Sequence, residues 1–116
     1  MKFLFASDIH GSLVACKAIL ERLSAEKADR LILLGDLLYH GPRNPLPDGY
    51  NPLAVSEALN DLKVKPLAVR GNCDSEVDQM ALAFPIMADF TLLPLKSGKT
   101  AFITHGHLYN IQNMPP

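Results

Sequence analysis

"LILLGD", residues 31–36, decides the fold. Four consecutive apolar side chains leave no wet face, as expected of a strand covered on both sides in a largely parallel sheet. The run then breaks at Gly35 and delivers a carboxylate, Asp36. The sequence on either side supplies the helices such a sheet requires. Upstream, KFLFA at 2–6 reads as a strand, and Leu13, Cys16, Ile19, Leu20 and Leu23 mark one face of a helix that Ser12 can cap. Cys16 falls on that apolar face and is expected in the core.

Downstream, GDLLYHGPRNPLPDGYNP at 35–52 is too rich in Gly, Pro and Asn to be anything but a long loop. Asn51 and Pro52 read as a helix cap and first helical residue, ahead of Val55, Ala58, Leu59 and Leu62. PLAV at 66–69 predicts a third strand. A short helix is expected from Ser75 to about Phe84, with Ser75 and Asp78 spaced as a capping box. TLLPL, KSGK and TAFIT, covering 91–104, read as a hairpin. Alternating strands and helices predict an α/β fold in a single domain over 1–116.

Composition narrows the function. Of 116 residues 48% are hydrophobic and 20% charged, which describes a folded globular chain, and the net charge of -1 argues against nucleic-acid or anionic-membrane binding. No apolar stretch has membrane-spanning length, and the apolar residues before Asp8 are too few for a signal segment. Two cysteines, Cys16 and Cys73, make no disulfide framework, so a reducing cytoplasm is the expected location.

Four apolar runs end alike. KFLFAS leads to Asp8 and His10, LILLG to Asp36, PLAVRG to Asn72, and TAFIT to His105 and His107. In open α/β sheets the C-terminal strand ends gather on one edge, where sites are built. Asp8 and His10, two apart in an extended chain, are expected to point the same way. Singly, each residue reads better as a turn, cap or solvated loop residue. Together, carboxylate, imidazole and amide form a mixed O/N set suited to Mn²⁺, Fe²⁺ or Zn²⁺. A Ser-His-Asp relay from Ser7, Asp8 and His10 fails, because near-adjacent residues of a strand cannot adopt relay geometry.

DIHG, GDLL, RGNCD and THGH, in this order and spacing, resemble the calcineurin-like metallophosphoesterases, and HGPRNPLP and RGNCDSEVDQM resemble their small bacterial phosphodiesterases. The resemblance covers essentially the whole chain. It implies an αββα sandwich and two divalent metal ions, Mn²⁺ foremost with Fe²⁺, Zn²⁺ or Ni²⁺ as alternatives. It further implies phosphodiester hydrolysis by in-line attack of a hydroxide bridging the metals. Carried over, Asp8 and His10 would ligate one metal, Asp36 would bridge both, and Asn72 and His105 would ligate the second. Arg70, Arg43 and His107 are candidate phosphate contacts, each with a solvated or structural alternative.

In the wider family a histidine that serves the leaving oxygen stands where this chain has Cys73. A nucleophilic cysteine would need a lowered pKa and a nearby base. Cys73 is therefore expected to occupy the site as neither nucleophile nor ligand, and aryl esters, whose leaving groups need no proton, should be the better substrates. The family's later Gly-His-x-His segment has no counterpart in 1–116, so a chain lacking its C-terminal strands is expected, with an uncovered face open to pairing. A non-catalytic interaction scaffold or an inert fragment is the alternative to a phosphodiesterase, and assembly into a homo-oligomer would cover the bare face.

Overall fold

The computed structural model describes residues 1–115. Strands β1 (Phe3–Ala6), β2 (Arg30–Leu33) and β3 (Leu67–Ala68) form a parallel sheet in that order. Helix α1 (Leu13–Ala25) connects the first pair and α2 (Pro52–Asn60) the second. Strands β4 (Phe90–Pro94) and β5 (Thr100–Thr104) make an antiparallel hairpin that forms a separate sheet. The fourth apolar run therefore belongs to a second layer, not to the parallel sheet. Its C-terminal end still arrives at the edge where the other three finish, because the hairpin lies across the parallel sheet.

The alternation along β2 explains the layering. Leu31 and Leu33 join Ile9, Cys16, Val55, Leu59 and Phe84 in the core beneath the helices. Ile32 faces the other way and is buried with Val69 and Ile103 of the hairpin. A strand with both faces covered has no position for a polar side chain, which is why LILL carries none. Each such burial contributes about 1.5–3 kcal/mol, so the small second cluster suffices to seat the hairpin.

The caps form where the sequence places them. Ser12 accepts from the Ala15 N–H, Asn51 from the Ala54 N–H with Pro52 at the first turn, and Ser75 and Asp78 complete a reciprocal box. Helix α3 (Glu76–Ala81) is shorter than expected and stops before Leu82. Leu82, Phe84 and Ile86 are all buried, a period-two pattern that needs extended chain. Gln79 secures that segment by accepting from the Ile86 N–H at 2.7 Å and donating to the Phe84 carbonyl at 2.9 Å. The outer face of the hairpin carries a cluster of Phe90, Phe102 and Tyr109 rings, with Phe90 stacked on Phe102 at 4.9 Å. No helix among the described residues is long and apolar enough to cross a membrane.

Candidate metal centre

Three of the polar residues gathered at the sheet edge sit in left-handed backbone: Asp8 at φ 57°, His10 at 51° and Asp36 at 57°. This corrects the expectation that Asp8 and His10 point together because the chain is extended. The chain instead turns at each, with Ile9 between them buried in the core. Backbone bonds hold the turns: Asp8 N–H to Gly35 O at 3.0 Å and His10 N–H to Asp36 O at 2.9 Å. Left-handed conformations cost a non-glycine residue of order 1–3 kcal/mol and gather at functional sites.

Asp36, at 2% exposure, is the centre of the cluster. Its Oδ1 accepts the Cys73 N–H at 2.7 Å. Its Oδ2 lies 3.7 Å from His10 Nε2 and 3.4 Å from His105 Nε2, between the two imidazoles. Gly71 must be glycine here, since a Cβ would come within 2.7 Å of the Asp36 N and nearer still to its Oδ1.

Both imidazoles are oriented by main-chain carbonyls. His10 Nδ1 meets Tyr39 O at 2.8 Å and His105 Nδ1 meets Leu34 O at 2.7 Å. A carbonyl accepts only, so both Nδ1 atoms carry a proton, and each ring turns its Nε2, which a second proton or a cation can occupy, into the cluster. There His10 Nε2 faces Asp8 Oδ1 at 3.1 Å, and His105 Nε2 faces Asn72 Oδ1 at 2.9 Å. Acceptor facing acceptor at hydrogen-bond distance is stable only with positive charge between them, a proton or a cation. The donor set of carboxylate and amide oxygens with imidazole nitrogen fits a divalent ion, and the Nδ1–H···O=C contacts are the outer supports such ligands use.

The titration behaviour follows from these contacts. Burial opposes the Asp8 carboxylate, but hydrogen bonds from Ser7 and His10 and the charge of His105 outweigh it and lower its pKa. Burial disfavours the His10 cation, yet the Tyr39 carbonyl and the carboxylates of Asp8 and Asp36 raise its pKa overall. Burial raises Asp36, against the Cys73 N–H and His105, with Asp8 and Asp74 adding to the rise. Cys73 is pushed up by burial and then by Asp36, Asp74 and Asp8, which opposes a free thiolate nucleophile in the metal-free site.

The side chains of all five carried-over residues thus lie together. Atoms of Asp8, Asp36 and His105 lie within 4.8 Å of one another, as do those of His10, Asp36 and Cys73. His107 is exposed beside them, its ring 5.2 Å from that of His105. Arg70 is tied back by its Nε to the Asp74 carbonyl at 3.2 Å. Arg43 is exposed in the loop after β2 and joins none of the cluster's hydrogen bonds. The sequence reading missed Asp74. At 3% exposure, its carboxylate accepts the N–H groups of Asp36, Leu37 and Gly71 at 2.8, 3.1 and 2.7 Å. A carboxylate three residues after a tight glycine turn was the available signal.

A family model described as calcineurin-like phosphoesterase matches residues 1–115. The chain is 54% identical over 115 residues to "Phosphodiesterase YfcE" of Escherichia coli strain K12, covering 99% of this chain and 62% of that protein. The protein of the same name from Escherichia coli O157:H7 matches to the same extent, 54% over 115 residues. A solved structure described as YfcE, a phosphoesterase from E. coli, superposes with a TM-score of 0.95 at 53% identity, covering 100% of this chain and 63% of that one. The chain therefore spans somewhat under two thirds of the length of these relatives.

Proposed function

Because the chain belongs to the calcineurin-like phosphoesterase family, we propose that it hydrolyses phosphodiesters with two divalent cations, Mn²⁺ foremost, held by Asp8, His10, Asp36, Asn72 and His105. The observation that carries this reading is the pair of facing acceptors, His105 Nε2 with Asn72 Oδ1 and His10 Nε2 with Asp8 Oδ1. Bound cations would activate water as the nucleophile and neutralise charge on the phosphoryl oxygens during in-line displacement.

The chain's own residues then have separable tasks. Asp36 Oδ2, between the two rings, is the donor available to both cations. Asn72 offers an amide oxygen without negative charge, which leaves the site attractive to an anionic substrate. His107, exposed beside His105, and Arg43, exposed in the loop after β2, are assigned to the phosphate, whereas Arg70 has part of its guanidinium already engaged. Cys73, with its pKa raised and standing where the family resemblance implies a histidine, supplies no strong acid to the leaving oxygen. Aryl phosphodiesters are the substrate class that needs none. Free thiols at Cys16 and Cys73 go with a reducing, cytoplasmic setting.

The test is hydrolysis of bis-para-nitrophenyl phosphate by the folded chain with and without Mn²⁺, beside Asn72→Ala. Turnover that requires Mn²⁺ and collapses in the variant supports the assignment. Turnover independent of metal, or none with metal demonstrably bound, overturns it. One observation favours a second reading, a partner-binding or self-associating scaffold. Phe90 and Leu92, 41% and 56% exposed, present an apolar hairpin face.

A further inference from the structure

Cys73 carries a chemistry that the five-ligand assignment leaves unused. Its sulfur, an imidazole nitrogen of His10 and a carboxylate oxygen of Asp36 lie within 4.8 Å of one another. The loop fixes the sulfur there. The Cys73 N–H is bonded to Asp36 Oδ1 at 2.7 Å, and the sulfur rests against Gly41, where a Cβ would come within 3.4 Å of it. Asn72 approaches the sulfur through its NH₂ at 3.7 Å, so its oxygen is directed to His105 and does not compete for an ion beside Cys73.

Imidazole, carboxylate and thiol within reach of one ion form an N/O/S set. Sulfur is a soft donor that favours Zn²⁺ and other thiophilic cations over Mn²⁺ or Mg²⁺, which prefer oxygen. We infer that Cys73 is a thiolate ligand for a thiophilic divalent cation of the zinc, cobalt or cadmium kind, held jointly with His10 and Asp36. The metal–sulfur bond forms as the thiol proton passes to solvent. The inference rests on the proposed cation site and reverses the expectation that Cys73 sits in that site without ligating. It assigns the choice of metal to Cys73, with soft cations displacing Mn²⁺ at the His10 side.

The experiment is a Co²⁺ titration of the whole chain, freed of metal, with bound cobalt measured by equilibrium dialysis and the near-ultraviolet spectrum recorded in parallel. The sulfur-to-cobalt charge-transfer band should rise with bound metal in the unaltered chain and in Cys16→Ser. It should be absent from Cys73→Ser, which still binds cobalt through its remaining donors. Preference for Cd²⁺ over Mn²⁺ in competition dialysis should fall at least about tenfold in Cys73→Ser, the loss that removing even an outer support commonly causes. Bound cobalt without the band in the unaltered chain, or a band that survives Cys73→Ser, overturns the thiolate ligand and leaves the phosphodiesterase reading standing. Failure of the unaltered chain to bind cobalt at all overturns both.

Discussion

The carboxylate of Asp74 accepts the backbone N–H of Asp36 at 2.8 Å, so one buried acid positions another by its main chain. With Leu37 and Gly71 also bonded to it, Asp74 buckles the loop after β2 to the loop after β3. Three N–H groups that would otherwise be orphaned in the interior are satisfied by one side chain. The left-handed turn at Asp36 is held from outside the turn.

Asp74→Asn keeps the shape but sets an NH₂ donor against backbone donors. Unfolding in urea should show a loss of about 2 kcal/mol or more, within the range for unsatisfied buried groups. Mn²⁺ affinity should weaken as well, although Asp74 is not among the assigned ligands. Unchanged stability together with unchanged affinity would remove the buckle from the account.

Asp36→Asn separates folding from metal binding. Burial disfavours the Asp36 carboxylate, so the amide should leave the metal-free chain as stable or slightly more so. Cation binding, by contrast, should drop by about a hundredfold or more, beyond the range for outer partners. Calorimetric metal titration and a melting curve on the same sample check both halves.

Gly71→Ala forces a methyl group onto the Asp36 backbone and carboxylate. Overpacking of this kind costs roughly 1–3 kcal/mol, and here it also displaces Asp36, the centre of the proposed cation site. At Gly98 a Cβ would meet nothing within 4 Å. Gly98→Ala should therefore lose only the cost of its left-handed backbone, roughly 1–2 kcal/mol, with metal binding unaffected. Equal metal affinities in the two variants would contradict the assignment.

The pH dependence follows from His10, whose folded pKa is raised above 6.5. A raised histidine stabilises the metal-free fold fully below its unfolded pKa, and the contribution is lost as pH rises through the folded value. Protonation at Nε2 competes with a cation, so Mn²⁺ affinity should climb over that same interval. In His10→Gln the slope should flatten. A slope unchanged by the substitution would place the titration elsewhere.

Replacing Cys73 by His installs the residue that the family resemblance implies at this position. The ratio of aryl to alkyl phosphodiester turnover should fall in Cys73→His, because an acid helps only the poorer leaving group. A constant ratio would show that Cys73 does not set leaving-group preference.

Much of this architecture was readable in the sequence. LILL announced a doubly covered strand, and Ser12, Asn51 and Ser75 announced their helices, because those signals are local. The sheet membership of TAFIT was not readable, since apolar alternation states that a face is buried but not against what. The turns at Asp8 and His10 were hidden because residue type alone does not select left-handed backbone, and the contacts that hold it here, Gly35 O and Asp36 O, are remote in the chain. Asp74 was overlooked for the same reason: its partners at 36 and 37 are remote in the chain. The capping box encouraged an overlong third helix, while the period-two burial at Leu82, Phe84 and Ile86 was present and outweighed it.

His105 reaches the cluster from the end of β5, whose sheet is anchored through Ile32, Val69 and Ile103. The proposed cation site is thereby yoked to the docking of one layer on another. An agent that prised the ribbon away would withdraw His105 from the cluster while α1, α2 and their sheet stayed intact, and amide exchange at Ile103 would register the event before any helix melted.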